Sequence, residues 1–374
     1  LRPNNGRLFT AVPALKKVGR PLQTTEEIAV YKKALARSAR VAAFCVLVTV
    51  GCVPAQARTL MFADSFPLSH TLSTDGTQRW MKQVETLTDG EIDFRHFPAE
   101  QLAKAGEILQ KIEDGVIQAG YIGTGYVSDE LPLNGALMLP GEVRDTVNAS
   151  QAYWQLLKND TPLRQEFLDN GVVPIYAVML PPYQLVLKRG PVSELGDLRG
   201  LKLRSTGSLN LVVQAVGANP VSMAAPDAYL AIQRGTLDGT VLPVTSIAPY
   251  KVNEVTQSLS TNGRFGSFGI TVAMDKKTYD GLSESQRKAV DQAGDETTAH
   301  LAQVIEDEVQ TDLAEFRDQG MAVYELPESM REALEPKYQA AQQAWVERMS
   351  ARGLDGQAVI DAYESALADV DAKR

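Results

Sequence analysis

The segment GDLRGLKLRSTGSLNLVVQAVGANP, residues 196–220, decides the reading of this chain. Leu201-Lys202-Leu203-Arg204 alternates apolar and charged residues, so both leucines share one face of a strand and Arg204 ends it. Gly200 breaks the chain before it, and Ser208 can cap a helix through Val216 that Gly217 stops. A strand followed at once by a helix is the unit of an open α/β sheet, which binds ligands at the carboxyl ends of its strands. Arg204 is therefore expected to face a cleft. The N-terminus of the following helix, with free N–H groups around Ser208, would favour an anion at the same place. The competing reading is a structural arginine paired with a nearby Asp or Glu.

Working outward, the same alternation of strands and helices recurs on both sides. TLMFADSF at 59–66 is an apolar strand, followed by helix-period sequence from Ser73 to Leu87, the strand EIDFRHF at 91–97, a helix over Lys104 to Glu113 and a strand over Gln118 to Ile122. After the Pro181-Pro182 break a second unit begins with YQLVLKR at 183–189 and continues through LKLR, NPVSM, the helix DAYLAIQR and the strand LDGTVLPV at 237–244. FGITVAM at 268–274 reads as a strand that returns to the first sheet, and Ser285 to Arg374 as three helices interrupted by MAVYELP. This pattern predicts two α/β lobes with mostly parallel sheets and crossing strands. Lobe I is expected over 58–181 plus about 268–308, and lobe II over 182–267 plus about 309–374.

The 374 residues are 44% hydrophobic and 22% charged, which excludes a disordered chain or a multi-span membrane protein. The first 57 carry nine Lys or Arg against two Glu, leaving 28 basic and 44 acidic residues, net −16, in the remaining 317. Such an acidic body argues against a nucleic-acid partner. In the basic segment, Lys32, Lys33, Arg37 and Arg40 precede the apolar run VAAFCVLVTV, and Ala55-Gln56-Ala57 follows. That is the pattern of a secretory signal peptide, predicting a mature start at Arg58 and a periplasmic protein. Residues 1–29 are long for an ordinary n-region, which places the expected start near Val30. Both cysteines, Cys45 and Cys52, fall within this leader, and Thr49 weakens Cys52 as a lipoprotein processing site.

No motif for catalysis is present. His70, His96 and His300 have no metal-ligand spacing, and there is no G-x-S-x-G elbow, HExxH or Walker loop. The GTGYVS stretch at 123–128 lacks the third glycine of a dinucleotide fingerprint and is read as a loop beside a pocket, with Thr124 in it. We expect no enzyme activity, metal or cofactor. His70 is read as a solvated loop histidine.

The stretches EIDFRHFPAEQL (91–102), GVIQAGYI (115–122), LGDLRGLKLRSTGS (195–208), VGANPVSMAAPDAYLAIQRGTLDG (216–239) and LSESQRKAV (282–290) together resemble the substrate-binding proteins of tripartite ATP-independent periplasmic (TRAP) transporters, the DctP-type family. The resemblance implies a two-lobed periplasmic binding protein fold, a type II-like clamshell. It implies a small-molecule organic acid as ligand and a membrane permease as partner, and gives Arg204 a bidentate pair with the ligand carboxylate. A monomer is expected. Sialic-acid-type members carry a second arginine and an asparagine where this chain has Gln184 and Leu242, so sialic acid is disfavoured. Leu242 beside Val241, with Tyr183 and Phe66 opposite, suggests a monocarboxylate with an apolar or aromatic body, though plain strand core accounts for the same residues. The alternatives are a receptor for an ATP-driven importer and a secreted α/β enzyme acting on an acid.

Overall fold

The computed structural model describes residues 57–372 apart from Glu142 and Arg144. The expected leader and cleavage site, Ala57 excepted, and both cysteines lie outside the described residues. From there the chain forms β1 (Arg58–Ala63), a π-helical turn Leu72–Gln78 running into α1 (Arg79–Leu87), β2 (Ile92–Phe97), α2 (Ile108–Glu113) and β3 (Ala119–Gly123). The stretch from 124 to 181, which the sequence left without elements, holds α3 (Thr146–Lys158), α4 (Pro162–Asp169) and β4 (Val172–Met179). Asp145 and Thr161 cap the two helices by accepting from the amides of Asn148 and Arg164, and Pro162 begins the second. Every residue of β4 is buried, because α3 and a long C-terminal helix cover it, so no period-two pattern marks it. It also carries Pro174, tolerated at a bulge on the edge of the sheet.

The chain continues through β5 (Gln184–Leu187), β6 (Lys202–Ser205), α5 (Leu209–Ala215), β7 (Asn219–Ser222), α6 (Ala228–Gln233), β8 (Gly239–Leu242), β9 (Ser258–Ser260) and β10 (Gly269–Asp275). It ends with α7 (Lys276–Asp280), α8 (Glu284–Asp318), β11 (Ala322–Tyr324), α9 (Glu328–Ala351) and α10 (Gly356–Asp371). One sheet has the order β2-β1-β3-β10-β4 and the other β11-β9-β5-β8-β6-β7. As expected, β10 returns to the first sheet.

Both sheets are mixed rather than mostly parallel. β1 lies parallel to β2 and β3, and β6 parallel to β7 and β8, but β10 is antiparallel to β3 and β4, and β5 to β8 and β9. The antiparallel strands β5 and β10 each arrive from the other sheet through a loop without a helix. They need no crossover helix, so nothing obliges them to run with their neighbours.

The two crossings lie side by side, with Tyr183 N–H donating to Gly266 O (2.8 Å) and Phe265 N–H to Tyr183 O (2.9 Å). α8 is the third link. A capping box of Ser283 and Gln286 starts it, and at ~1.5 Å per residue its 35 residues span about 50 Å. Near Gly294 and Thr298 it packs on β4, while Leu313 and Phe316 reach the separate core cluster of Val186, Ile232, Leu242 and Leu259. α9 packs on α5, and α10 on α3.

Candidate ligand-binding site

Arg204 is the penultimate residue of β6, whose last three residues are buried, and is 0% exposed. Its Nε donates to Met223 O (3.0 Å), Nη1 to Val241 O (3.4 Å) and Nη2 to the Tyr126 hydroxyl (3.3 Å). Among the described residues it has no carboxylate partner, so the structural alternative of an Asp or Glu pair does not form. The nearby buried carboxylate, Asp64, is engaged elsewhere, by His96 Nε2 at 2.8 Å and by the Phe66 amide at 3.0 Å. A charged guanidinium sealed from water with only neutral oxygens around it is costly unless an anion joins it.

Tyr126 comes from the opposite sheet. β3 ends at Gly123 and passes into the single turn Thr124–Tyr126, which sends the phenol ring across to β6, beside Phe268 at 5.1 Å between centroids. The segment after β6 is docked on this turn. Thr206 Oγ1 donates to Gly125 O (2.9 Å), and Gly207 has φ +50 and no space for a Cβ, which would lie 2.9 Å from Gly125 Cα. A side chain at 207 would hold the sheets apart here.

Tyr183 stacks near Phe268 (6.4 Å, 12°), close enough to Arg204 for its phenol to feel that charge. Phe66 lies 4.4 Å from Tyr121 and 5.6 Å from His70, whose ring meets Tyr250 edge-on at 5.4 Å. His70 is not a solvated loop residue. It is 1% exposed, and burial pushes its pKa down to about 3. The loop after β1 folds inward because its turn is closed by Ser73 N–H and Thr74 N–H donating to His70 O. Burial likewise drives the phenols of Tyr121, Tyr183 and Tyr250 far above the ordinary tyrosine range, and each feels one cation, Arg204, which opposes that rise. The result is one buried cation amid neutral phenols, a neutral imidazole and two phenylalanines.

Of the residues expected from sequence, Arg204, Tyr183 and Phe66 belong to this constellation. Thr124 is buried at the head of the turn that carries Tyr126, with its hydroxyl on Gly269 O (3.4 Å). Gln184 is spent on the crossing: its Oε1 accepts from Ser260 Oγ (3.0 Å) and Gly263 N–H (2.8 Å), and its Nε2 donates to Pro182 O. Leu242, its register partner across β5 and β8, lies in the second core cluster. Ser208 precedes α5 but makes no side-chain cap, because it is in helical conformation and its hydroxyl is turned toward Gly135 and Trp345. The seven-residue helix offers no capped terminus to reinforce Arg204.

Sequence reasoning missed Tyr121, Tyr126, Tyr250 and Ser246. Only Tyr126 carried a usable signal, since it lies just past the carboxyl end of a strand. Two recesses flank the junction. One of about 250 Å³ is lined by Ser65, Pro67, Pro226, Tyr229 and Tyr250. The other, of about 370 Å³, is lined by Tyr126, Gly207, Ser208, Ser222 and Trp345, among others. Among the described residues there is no cluster of three metal-ligating side chains, and no helix is long and apolar enough to cross a membrane.

Comparison with known proteins agrees with this architecture. The C4-dicarboxylate-binding periplasmic protein DctP of Rhodobacter capsulatus is 27% identical over 321 residues, covering 80% of this chain and 90% of that relative. A crystal structure of a TRAP solute-binding protein from Rhodoferax ferrireducens T118, in complex with copurified benzoate, superposes with a TM-score of 0.79 at 25% identity, over 84% of this chain and 99% of the other. A marine metagenome TRAP solute-binding protein specific for aromatic acid ligands, at 22% identity, shares the fold with the same TM-score, over 84% of this chain and 99% of the other. The model of bacterial extracellular solute-binding protein family 7, DctP, matches residues 62–349, and the chain belongs to that family.

Proposed function

We propose that this protein captures an organic monocarboxylate through Arg204, between its two sheets, and delivers it to the membrane permease of a TRAP transporter. The observation that carries the reading is the fully buried guanidinium without a counter-ion. A carboxylate presents two oxygens to the planar fork and supplies the missing charge. Phe66, Tyr121, Tyr183 and Phe268 offer flat surfaces for an apolar or aromatic body. The benzoate-binding relative supports that class, and the dicarboxylate-binding one supports the carboxylate without the body. Among the described residues Arg204 is the cation that Tyr121, Tyr183 and Tyr250 feel, which favours a ligand with one carboxylate over one with two. The two sheets would form lobes I and II, hinged at the paired crossings 180–183 and 265–268 and closing over the ligand. The basic, apolar leader with Ala55-Gln56-Ala57 supports export to the periplasm.

Calorimetric titration of the purified protein with benzoate, other monocarboxylates, succinate and malate tests this. Tighter binding of a monocarboxylate is the expected result. Succinate or malate binding more tightly than every monocarboxylate would overturn the ligand class, and no binding of any acid would overturn the capture reading.

A further inference from the structure

The structure assigns Tyr126 a second role beyond lining the site: we infer that its hydroxyl is the contact through which the lobe carrying β3 senses the bound carboxylate and locks onto Arg204. This rests on the capture reading above and deepens it. The Tyr126 oxygen accepts two hydrogen bonds, both from the other side of the cleft. One comes from Arg204 Nη2 (3.3 Å) and the other from the backbone amide of Ala225 (3.1 Å). With both of these bonds accepted and none donated among the described residues, the phenol hydrogen is free to turn to a carboxylate brought to the neighbouring guanidinium. The ring is held for this by Phe268 and by a turn that the Thr206 and Gly207 contacts pin to Gly125.

The arrangement couples binding to closure. Tyr126 follows β3 of one sheet, whereas Arg204 lies in β6 of the other and Ala225 in the turn after its β7, so both hydrogen bonds exist only when the sheets are together. A carboxylate on Arg204 adds an acceptor for the one group of Tyr126 that closure leaves unpaired. In a closed state without ligand that hydrogen would be buried without a partner, which disfavours closure. Ligand and lobe contact therefore stabilise each other through one oxygen atom.

The test is Tyr126→Phe, which keeps the ring and removes the hydroxyl. A single hydrogen bond to a charged group governs roughly a 10- to 100-fold change in affinity, and Tyr126→Phe is expected to weaken the tightest-binding acid of the benzoate-containing panel by that factor. Because the hydroxyl's partners lie across the cleft, the ligand-free melting temperature should not change. Scattering should show the wild type compacting at an acid concentration near its dissociation constant, with the variant needing correspondingly more. Binding within threefold of wild type would overturn the assignment, as would a matching loss of ligand-free melting temperature, which marks a purely structural hydroxyl. A wild type that binds none of the acids would overturn the capture reading and this assignment with it. A wild type that binds while the variant binds equally well would remove Tyr126 alone.

Discussion

His70 Nε2 lies 3.4 Å from Ser246 Oγ, joining the loop after β1 of one sheet to the turn after β8 of the other. The Leu72 amide donates to His70 Nδ1 at 3.3 Å, which fixes the neutral tautomer and leaves the Nε2 proton to point at Ser246. Phe66 and Tyr250 enclose the ring, Asp64 is committed to His96, and no carboxylate compensates a charge on His70.

This contact predicts a pH dependence of capture. Burial in the closed form pushes the imidazole down to about 3, and an opening that hydrates the ring would return it toward its ordinary 6.5. The closed form therefore binds fewer protons, so closure is fully favoured above 6.5 and is opposed as pH falls below it. Each pH unit below 6.5 costs closure up to about 1.4 kcal/mol. Affinity for benzoate is expected to hold between pH 8 and 7 and to fall toward tenfold between pH 6.5 and 5.5. That window lies above the titration of an ordinary carboxylate. His70→Gln should flatten the profile, and a wild-type profile already flat from pH 8 to 5.5 would sink the idea.

Asp312 on α8 should act on overall stability with the opposite sign. Burial, then the neighbouring Glu308 and Glu315, raise its carboxyl to about 7, and its Oδ2 is buried with no hydrogen bond. A carboxyl whose pKa is raised on folding penalises the folded state above that pKa, and the penalty fades as pH falls toward 3.8. After allowance for solvent screening at this helix surface, Asp312→Asn should stabilise by about 1–2 kcal/mol at pH 8. Melting curves should show the gain shrinking by pH 5. A gain that is the same at both pH values would point to packing rather than to the charge.

How far the sequence could be read follows from where each signal resides. The β6 strand and Arg204 were legible because alternation and a strand end are local properties. β4 was not, since burial on both faces erased its period and Pro174 argued against a strand. The antiparallel entry of β5 and β10 depends on which sheet a strand leaves, which no local pattern records. Gln184 and Leu242 were placed in the pocket by correspondence with other family members, but their side chains turn to the crossing and the core. The Tyr126–Arg204 contact joins residues 78 apart in sequence and exists only through the packing of two sheets.

Gly294 tests the role of α8 as a rigid link. A Cβ there would collide with the Ile175 carbonyl oxygen of β4, a backbone atom that cannot swing away. Gly294→Ala should therefore lower stability by about 1–3 kcal/mol through overpacking, despite alanine's better helix propensity. Urea denaturation measures this. An alanine variant as stable as wild type would mean that α8 is free to lift from the sheet.

Arg204 carries the strongest prediction. Its guanidinium is completely buried, and three of its N–H groups are anchored by Met223, Val241 and Tyr126. Met223 and Val241 lie on its own side of the cleft, so they hold the group before any ligand arrives, which reduces the ordering cost of binding. The acidic body of the protein repels an anion in solution, but beyond a Debye length of ~8 Å salt screens that field, so the local pair dominates. Arg204→Ala would leave a captured carboxylate buried without its partner, a loss of about 2–5 kcal/mol, or roughly 30-fold to several-thousand-fold in affinity. Arg204→Lys should recover part of this, because an ammonium supplies the charge without the two-pronged geometry. The guanidinium has no ion pair to lose when no carboxylate is bound, so Arg204→Ala should melt close to wild type. Titration calorimetry with the best acid of the panel, beside ligand-free melting curves, measures both effects. An alanine variant that binds within threefold of wild type would exclude Arg204 from the site, and with it the capture mechanism.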